Sequence, residues 1–167
     1  MKKLLLFSLM IAMLVACNKS KNGETVFTND LENVKMWNKA PNVVKGIAHS
    51  GVYACKLDTA NEFSYGFCSL LGDVSTKMPK NIEVSVWAYS QIVNPDACIV
   101  IEIFNNEQKV FWKNSGLNAI TKAKEWTEVK AHFDLPSNLN PKNEVRVYIW
   151  NPKKLEFYAD DFKISFK

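Results

Sequence analysis

Ile82-Glu83-Val84-Ser85-Val86-Trp87-Ala88-Tyr89-Ser90-Gln91 and, later in the chain, Glu144-Val145-Arg146-Val147-Tyr148-Ile149-Trp150 change side-chain character at every step. Period two is the mark of a strand buried on one face, because successive side chains leave a pleated backbone on opposite sides. The inward sets are Ile82, Val84, Val86 and Ala88 in the first stretch and Val145, Val147 and Ile149 in the second. Trp87, Tyr89, Arg146, Tyr148 and Trp150 then fall on outer faces. The pattern recurs in residues 51–57, 65–71, 97–104, 109–113, 126–135 and 156–166, all rich in β-branched and aromatic residues. Turn formers such as Asn94-Pro95-Asp96, Asn114-Ser115-Gly116 and Pro136-Ser137-Asn138 separate them. No stretch long enough for a stable helix repeats every 3.6 residues, and residues 117–124 offer one short turn at most. Strands at this spacing without helical crossovers predict one all-β domain over residues 25–167, a two-sheet antiparallel sandwich.

The chain has 167 residues, 47% hydrophobic and 23% charged, too apolar for a disordered chain and too polar for a multi-span membrane protein. Its formal charge is +4, but Lys2 and Lys3 open a segment outside the fold. Residues 4–16 are apolar except for Ser8, and as a helix they rise about 20 Å, short of a roughly 30 Å hydrocarbon core. A basic start, a short apolar run and small residues at its end predict a secretory signal over residues 1–16. It closes on Leu14-Val15-Ala16-Cys17, which resembles the bacterial lipobox and implies acylation of Cys17. Several acyl chains anchor durably, since each buried CH₂ contributes about 0.8 kcal/mol. Residues 18–24 (NKSKNGE) then serve as a tether. The chain so resembles lipoproteins of Bacteroides-like bacteria, with Lys19 and Lys21 where some of those carry an acidic export tract. The expected place is the cell envelope, anchored to the outer membrane, with the periplasmic and surface faces both open. Without the leader the charge falls to +2 and is scattered, so no nucleic acid partner is expected.

Beyond Cys17 stand Cys55, Cys68 and Cys98, with no CxxC spacing, and the only histidines are His49 and His132. A structural zinc site is not expected. Cys55 and Cys68, on the apolar phase of neighbouring strands, are the better disulfide pair, the alternative being buried thiols. The sequence carries no nucleophile elbow, phosphate-cradling loop or metal-ligand cluster. His49 and Ser50 are no triad, as neighbours in an extended strand point apart. The chain is therefore not expected to be an enzyme. Twenty of its 21 basic residues are lysine, and Arg146 alone supplies a planar fork of donors.

The anomaly is what lies on the outer faces. With Ile99, Ile101 and Ile103 inside, Glu102 and Phe104 point out; with Cys68 and Leu70 inside, Tyr65 and Phe67 point out. Three strands spend large aromatic rings on a face that need not be buried, and contiguous apolar surface usually serves contact. Trp87 and Tyr89 belong to a different outer face, where the segment around Phe27 and Trp37 is expected to cover them. Trp112 sits in a strand whose two phases are equally apolar, and Trp126 reads as an edge-of-core residue.

Five short matches give the layout a family resemblance. They are Asn29-Asp30-Leu31-Glu32, His49-Ser50-Gly51-Val52-Tyr53, Val84-Ser85-Val86-Trp87-Ala88, Trp126-Thr127-Glu128-Val129 and Phe157-Tyr158-Ala159-Asp160-Asp161-Phe162. In order and spacing over residues 26–166 they resemble the jelly-roll carbohydrate-binding modules with the galactose-binding-like fold. That resemblance implies one sheet from residues 51–57, 82–91, 126–135 and 156–166, and a second from 65–71, 97–104, 109–113 and 144–150. It also implies that an oligo- or polysaccharide binds on the second sheet's outer face, where alternation independently places Tyr65, Phe67, Glu102, Arg146, Tyr148 and Trp150. Ring planes suit the C–H face of a sugar, and charged side chains suit its hydroxyls. One structural Ca²⁺ is implied as well, held by Glu32 and Asp160 with carbonyls near Asn29 and Ser50, although Asp30 stands where the family often has glycine. Two alternatives stay open: the same patch docks another envelope protein, or loops over residues 105–124 cover Tyr148 and Trp150 and the face only packs.

Overall fold

The computed structural model describes residues 24–33, 37, 42–64 and 66–167; the leader, Cys17 and Tyr65 lie outside the described residues. The strands are β1 (Thr25–Asn29), β2 (Val43–Lys45), β3 (Tyr53–Leu57), β4 (Phe67–Leu70), β5 (Asn81–Ser90), β6 (Cys98–Asn105), β7 (Gln108–Gly116), β8 (Trp126–Asp134), β9 (Glu144–Trp150) and β10 (Phe157–Phe166). A single short helix, α1 (Leu71–Val74), follows β4. Among the described residues no helix is long and apolar enough to cross a membrane.

The strands form two antiparallel sheets, in the order β2-β3-β10-β5-β8 with β1 also on β10, and β4-β9-β6-β7. Every strand read from alternation falls in the sheet expected of it. β1 and β2 are additions: each is short, and each is fixed by its partner rather than by its own pattern. β10 accommodates both β1 and β3 because they pair with different stretches of it, and its register with β5 breaks between Asp160 and Lys163. Phe157 to Ala159 pair with β3, and Phe162 to Phe166 pair with β1 beyond the break, starting from Phe166 opposite Thr25. Asp161, at φ +48, makes the bulge and turns two consecutive carboxylates off the regular pleat.

Between the sheets lie the alternation-selected residues, including Ile82, Val86, Ile99, Ile101, Ile103, Val145 and Ile149, all fully buried. Aromatic rings close one end of this core. Phe27, Trp37 and Phe166 meet Phe67 at centroid distances of 4.9, 5.5 and 5.6 Å. Phe67 therefore points inward, which corrects the expectation that it faces out. β4 is inverted relative to its sequence reading: Phe67 is 5% exposed, while Leu70, expected inside, is 42% exposed. The same inversion sets Cys68 on the outer face opposite Arg146, while Cys55 faces the core from the other sheet. No disulfide joins those two cysteines, which leaves the alternative of thiols that the sequence also offered.

Candidate functional site

The outer face of the four-stranded sheet is built in cross-strand rows. Cys68, Arg146, Glu102 and Trp112 form one row; Leu70, Glu144 and Phe104 form the next toward one end; Tyr148, Val100 and Asn114 form the next toward the other. Glu102 is 8% exposed although it occupies an outward position. Lys109 reaches it from the β6–β7 hairpin at 2.5 Å, and Tyr148 lies close to it on the neighbouring strand. A buried carboxylate is tolerated here because a cation holds it. Burial first, and then the charge and hydrogen bond of Glu102, push the Tyr148 hydroxyl well above the usual tyrosine range.

Arg146 uses both properties that distinguish it from the chain's lysines. Its Nε and one terminal nitrogen each lie 2.6 Å from Glu144 Oε1, and its guanidinium carbon sits 4.5 Å from the Phe104 ring centre. A lysine has one point charge and no plane to stack. At the far end of the face Phe63 forms an isolated bridge with Trp150, and its ring meets Tyr148 edge-on at 5.7 Å. Trp112 and Phe63 are 41% and 47% exposed, whereas Tyr148 and Trp150 are half-buried.

Of the six expected ligand residues, then, the structure gathers Glu102, Arg146, Tyr148 and Trp150 on one face, places Phe67 in the core, and does not describe Tyr65. Residues 108–116 pair as the edge strand β7 rather than folding over the rings. Sequence reasoning missed Phe63, Lys109 and Glu144 as members of this face and left Trp112 undecided. The β6–β7 register, with Trp112 opposite Glu102, is the signal that decides it.

The opposite sheet's outer face is covered differently from the expectation. Phe27 and Trp37 are engaged with Phe67, Phe162 and Phe166, and His49 lies flat on Trp87 at 3.7 Å and 12°. Trp126 leaves the edge-of-core role too, packing on this face against Tyr89 and His49. The loop that carries His49 is fastened by carboxylates. The His49 and Ser50 N–H groups donate to Asp160 Oδ2 at 2.8 and 3.1 Å, and the Asp161 N–H donates to Asp160 Oδ1 at 2.7 Å. The Val52 and Tyr53 N–H groups donate to Glu32 Oε1, both at 2.8 Å. Asp161 takes His49 Nδ1 at 2.5 Å and the Ser50 hydroxyl at 2.8 Å. Gly51 sits between them at φ +59, and a Cβ there would strike the Glu32 carboxylate. Ser50 bonds Asp161 rather than the His49 ring, so no catalytic triad is assembled.

This arrangement tests the implied Ca²⁺. A hard cation needs six to eight converging oxygens. Here the oxygens of Asp160 and Oε1 of Glu32 face N–H groups, whose positive ends repel a cation. Among the described residues no three acidic, histidine or cysteine side chains converge on a metal-sized space. The Asp160 oxygens and Glu32 Oε1 hold the loop by hydrogen bonds. Farther along the same sheet a depression of about 420 Å³ is lined by Glu83, Glu128, Lys130, His132 and Lys167. Four of its charges are paired, Lys167 with Glu83 at 2.6 Å and Lys130 with Glu128 at 2.9 Å, as on a solvated face.

No protein-family model matches the sequence, and no curated protein does. Among solved structures the chain is similar to the CBM22-2 xylan-binding domain of Xyn10C from Paenibacillus barcinonensis, at 20% identity and a TM-score of 0.56, over 84% of this chain and 99% of that one. The CBM22-1–CBM22-2 tandem of the same protein matches at the same identity and score, with this chain spanning 50% of its length. A family 16 carbohydrate-binding module is similar at 16% identity and a TM-score of 0.45, covering 73% of this chain and 82% of that one. The strand pairing and the first two likenesses together establish the fold as a two-sheet antiparallel jelly-roll sandwich.

Proposed function

We propose that the chain is a non-catalytic carbohydrate-binding lipoprotein that captures an oligo- or polysaccharide on the outer face of its four-stranded sheet. The observation that carries this reading is a ring-lined surface, Trp112, Phe63, Trp150 and Tyr148, that includes a buried Glu102 paired with Lys109. Exposed ring planes gain by covering the C–H face of a pyranose, and polar groups locked in place beforehand hydrogen-bond hydroxyls with little ordering cost. Similarity to a structure described as xylan-binding agrees with this use of the fold. The carboxylates of the face, Glu102 and Glu144, are each engaged by a cation, which suits holding a sugar rather than cleaving it. Acylation at Cys17 would hold the module in the cell envelope, anchored to the outer membrane.

Affinity electrophoresis through gels containing xylan, galactan or glucomannan tests the reading. The parent protein should be retarded by at least one polymer. Trp112→Ala combined with Trp150→Ala should lose at least tenfold in affinity while keeping the parent's far-ultraviolet circular dichroism. Unchanged retardation of the double variant removes these rings from the site. Absence of binding across a broad glycan array, with stoichiometric recovery of an envelope protein, establishes the docking alternative.

A further inference from the structure

The charges of the aromatic face cancel in pairs, and the pairs are closed within the face. Lys109 is bound to Glu102 at 2.5 Å and Arg146 to Glu144 at 2.6 Å. The two pairs are not equally free to open. Glu102 is 8% exposed, so withdrawing Lys109 would leave a buried carboxylate without its cation, a heavily penalised state. Arg146 and Glu144 are more accessible, with side chains 46% and 35% exposed, so theirs is the pair that an incoming group meets.

We propose that Glu144 is a specificity-determining residue that turns this face against acidic saccharides and restricts it to neutral ones; the inference rests on the carbohydrate reading above. A uronate or sulfate entering the face is attracted by Arg146, the one guanidinium in the chain. Glu144 already faces it with a carboxylate held on both Nε and a terminal nitrogen. To take Arg146 the ligand must displace Glu144, leaving that carboxylate beside the new anion, or share it, so that Glu144, Glu102 and the ligand crowd three negative groups around two cations. Phe104, 4.5 Å below the guanidinium carbon, gives the guanidinium an apolar floor and so limits its retreat toward an anion elsewhere on the face. A neutral sugar meets none of these costs: its hydroxyls bond the outer edge of a pair without opening it. Discrimination thus comes from a repulsive element set beside the attractive one.

The test uses matched polymers that differ in charge, hydroxyethylcellulose against carboxymethylcellulose and xylan against carboxymethylxylan, in affinity gels at low salt. The parent protein should prefer the neutral member of a pair by about tenfold, the order expected from one unscreened charge contact. Glu144→Gln should close most of that gap, and 1 M NaCl should narrow it in the parent by screening. Equal retention of both members by the parent, or a gap that Glu144→Gln leaves unchanged, overturns the role of Glu144 while the carbohydrate reading stands. Retention of none of these polymers, together with silence on the broad glycan array, overturns the carbohydrate reading and this inference with it.

Discussion

Truncating Phe67 to alanine removes a ring that touches Phe27, Trp37 and Phe166 within 5.6 Å and leaves a void where two sheets and the N-terminal strand meet. A fully buried Phe→Ala change costs about 4 kcal/mol. An unfolding entropy of about 2.1 cal/mol/K per residue over about 140 residues converts this to a fall in Tm of about 14 °C. Leu70→Ala, three residues on and 42% exposed, should cost less than about 1 kcal/mol, or about 3 °C. Calorimetry on both variants, paired with urea titration followed by tryptophan fluorescence, measures the contrast. The pair matters more than either member, because a strand shifted by one residue exchanges its two faces. If Leu70→Ala melts far below the parent while Phe67→Ala melts beside it, β4 has the opposite phase. Phe67 then returns to the outer face, and Cys68 no longer stands opposite Arg146.

Two further outcomes bear on the carboxylates. Thermal melts in millimolar CaCl₂ and in EDTA should coincide, because N–H groups occupy the oxygens that an ion would need at Asp160 and Glu32; a calcium-dependent rise that Glu32→Gln abolishes would restore the ion. The folded protein holds the Tyr148 proton more tightly than the unfolded chain does, so its share of stability is full below about pH 10, the unfolded value, and is lost as pH climbs from there toward the higher folded value. Tyr148→Phe should flatten that alkaline loss in urea titrations, and a difference ultraviolet titration should show Glu102→Gln lowering the Tyr148 midpoint without returning it to the ordinary range, since burial is the larger cause.

The strands and most of their faces were legible in the sequence because β5, β6, β8, β9 and β10 each alternate over enough residues, while their division between two sheets followed from the family resemblance. The face of β4 was not legible. Residues 65–71 carry aromatics on one phase and Cys68 and Leu70 on the other, so both phases look apolar. Phe27, Trp37 and Phe166, distant in sequence, decide which one is buried. Glu102 shows a second limit. Its outward phase was readable, but its burial and its pairing with Lys109 depend on cross-strand neighbours that no period reveals. Phe63 belongs to no long strand and joins the face through a single bridge to Trp150. Carboxylates at positions 32 and 160 were visible as a pair of family-like motifs; that they receive backbone donors was decided by the path of the loop from His49 to Tyr53.

The pairing of Thr25 with Phe166 has a mechanical consequence. The first and last strands run antiparallel with their outer ends side by side, so whatever is joined before residue 24 and after Lys167 departs from one pole of the sandwich. Tension applied between those two attachments would peel β1 from β10 like a zip, one rung at a time. Load passing from either attachment to the outer face of the other sheet would instead be shared across the whole interior.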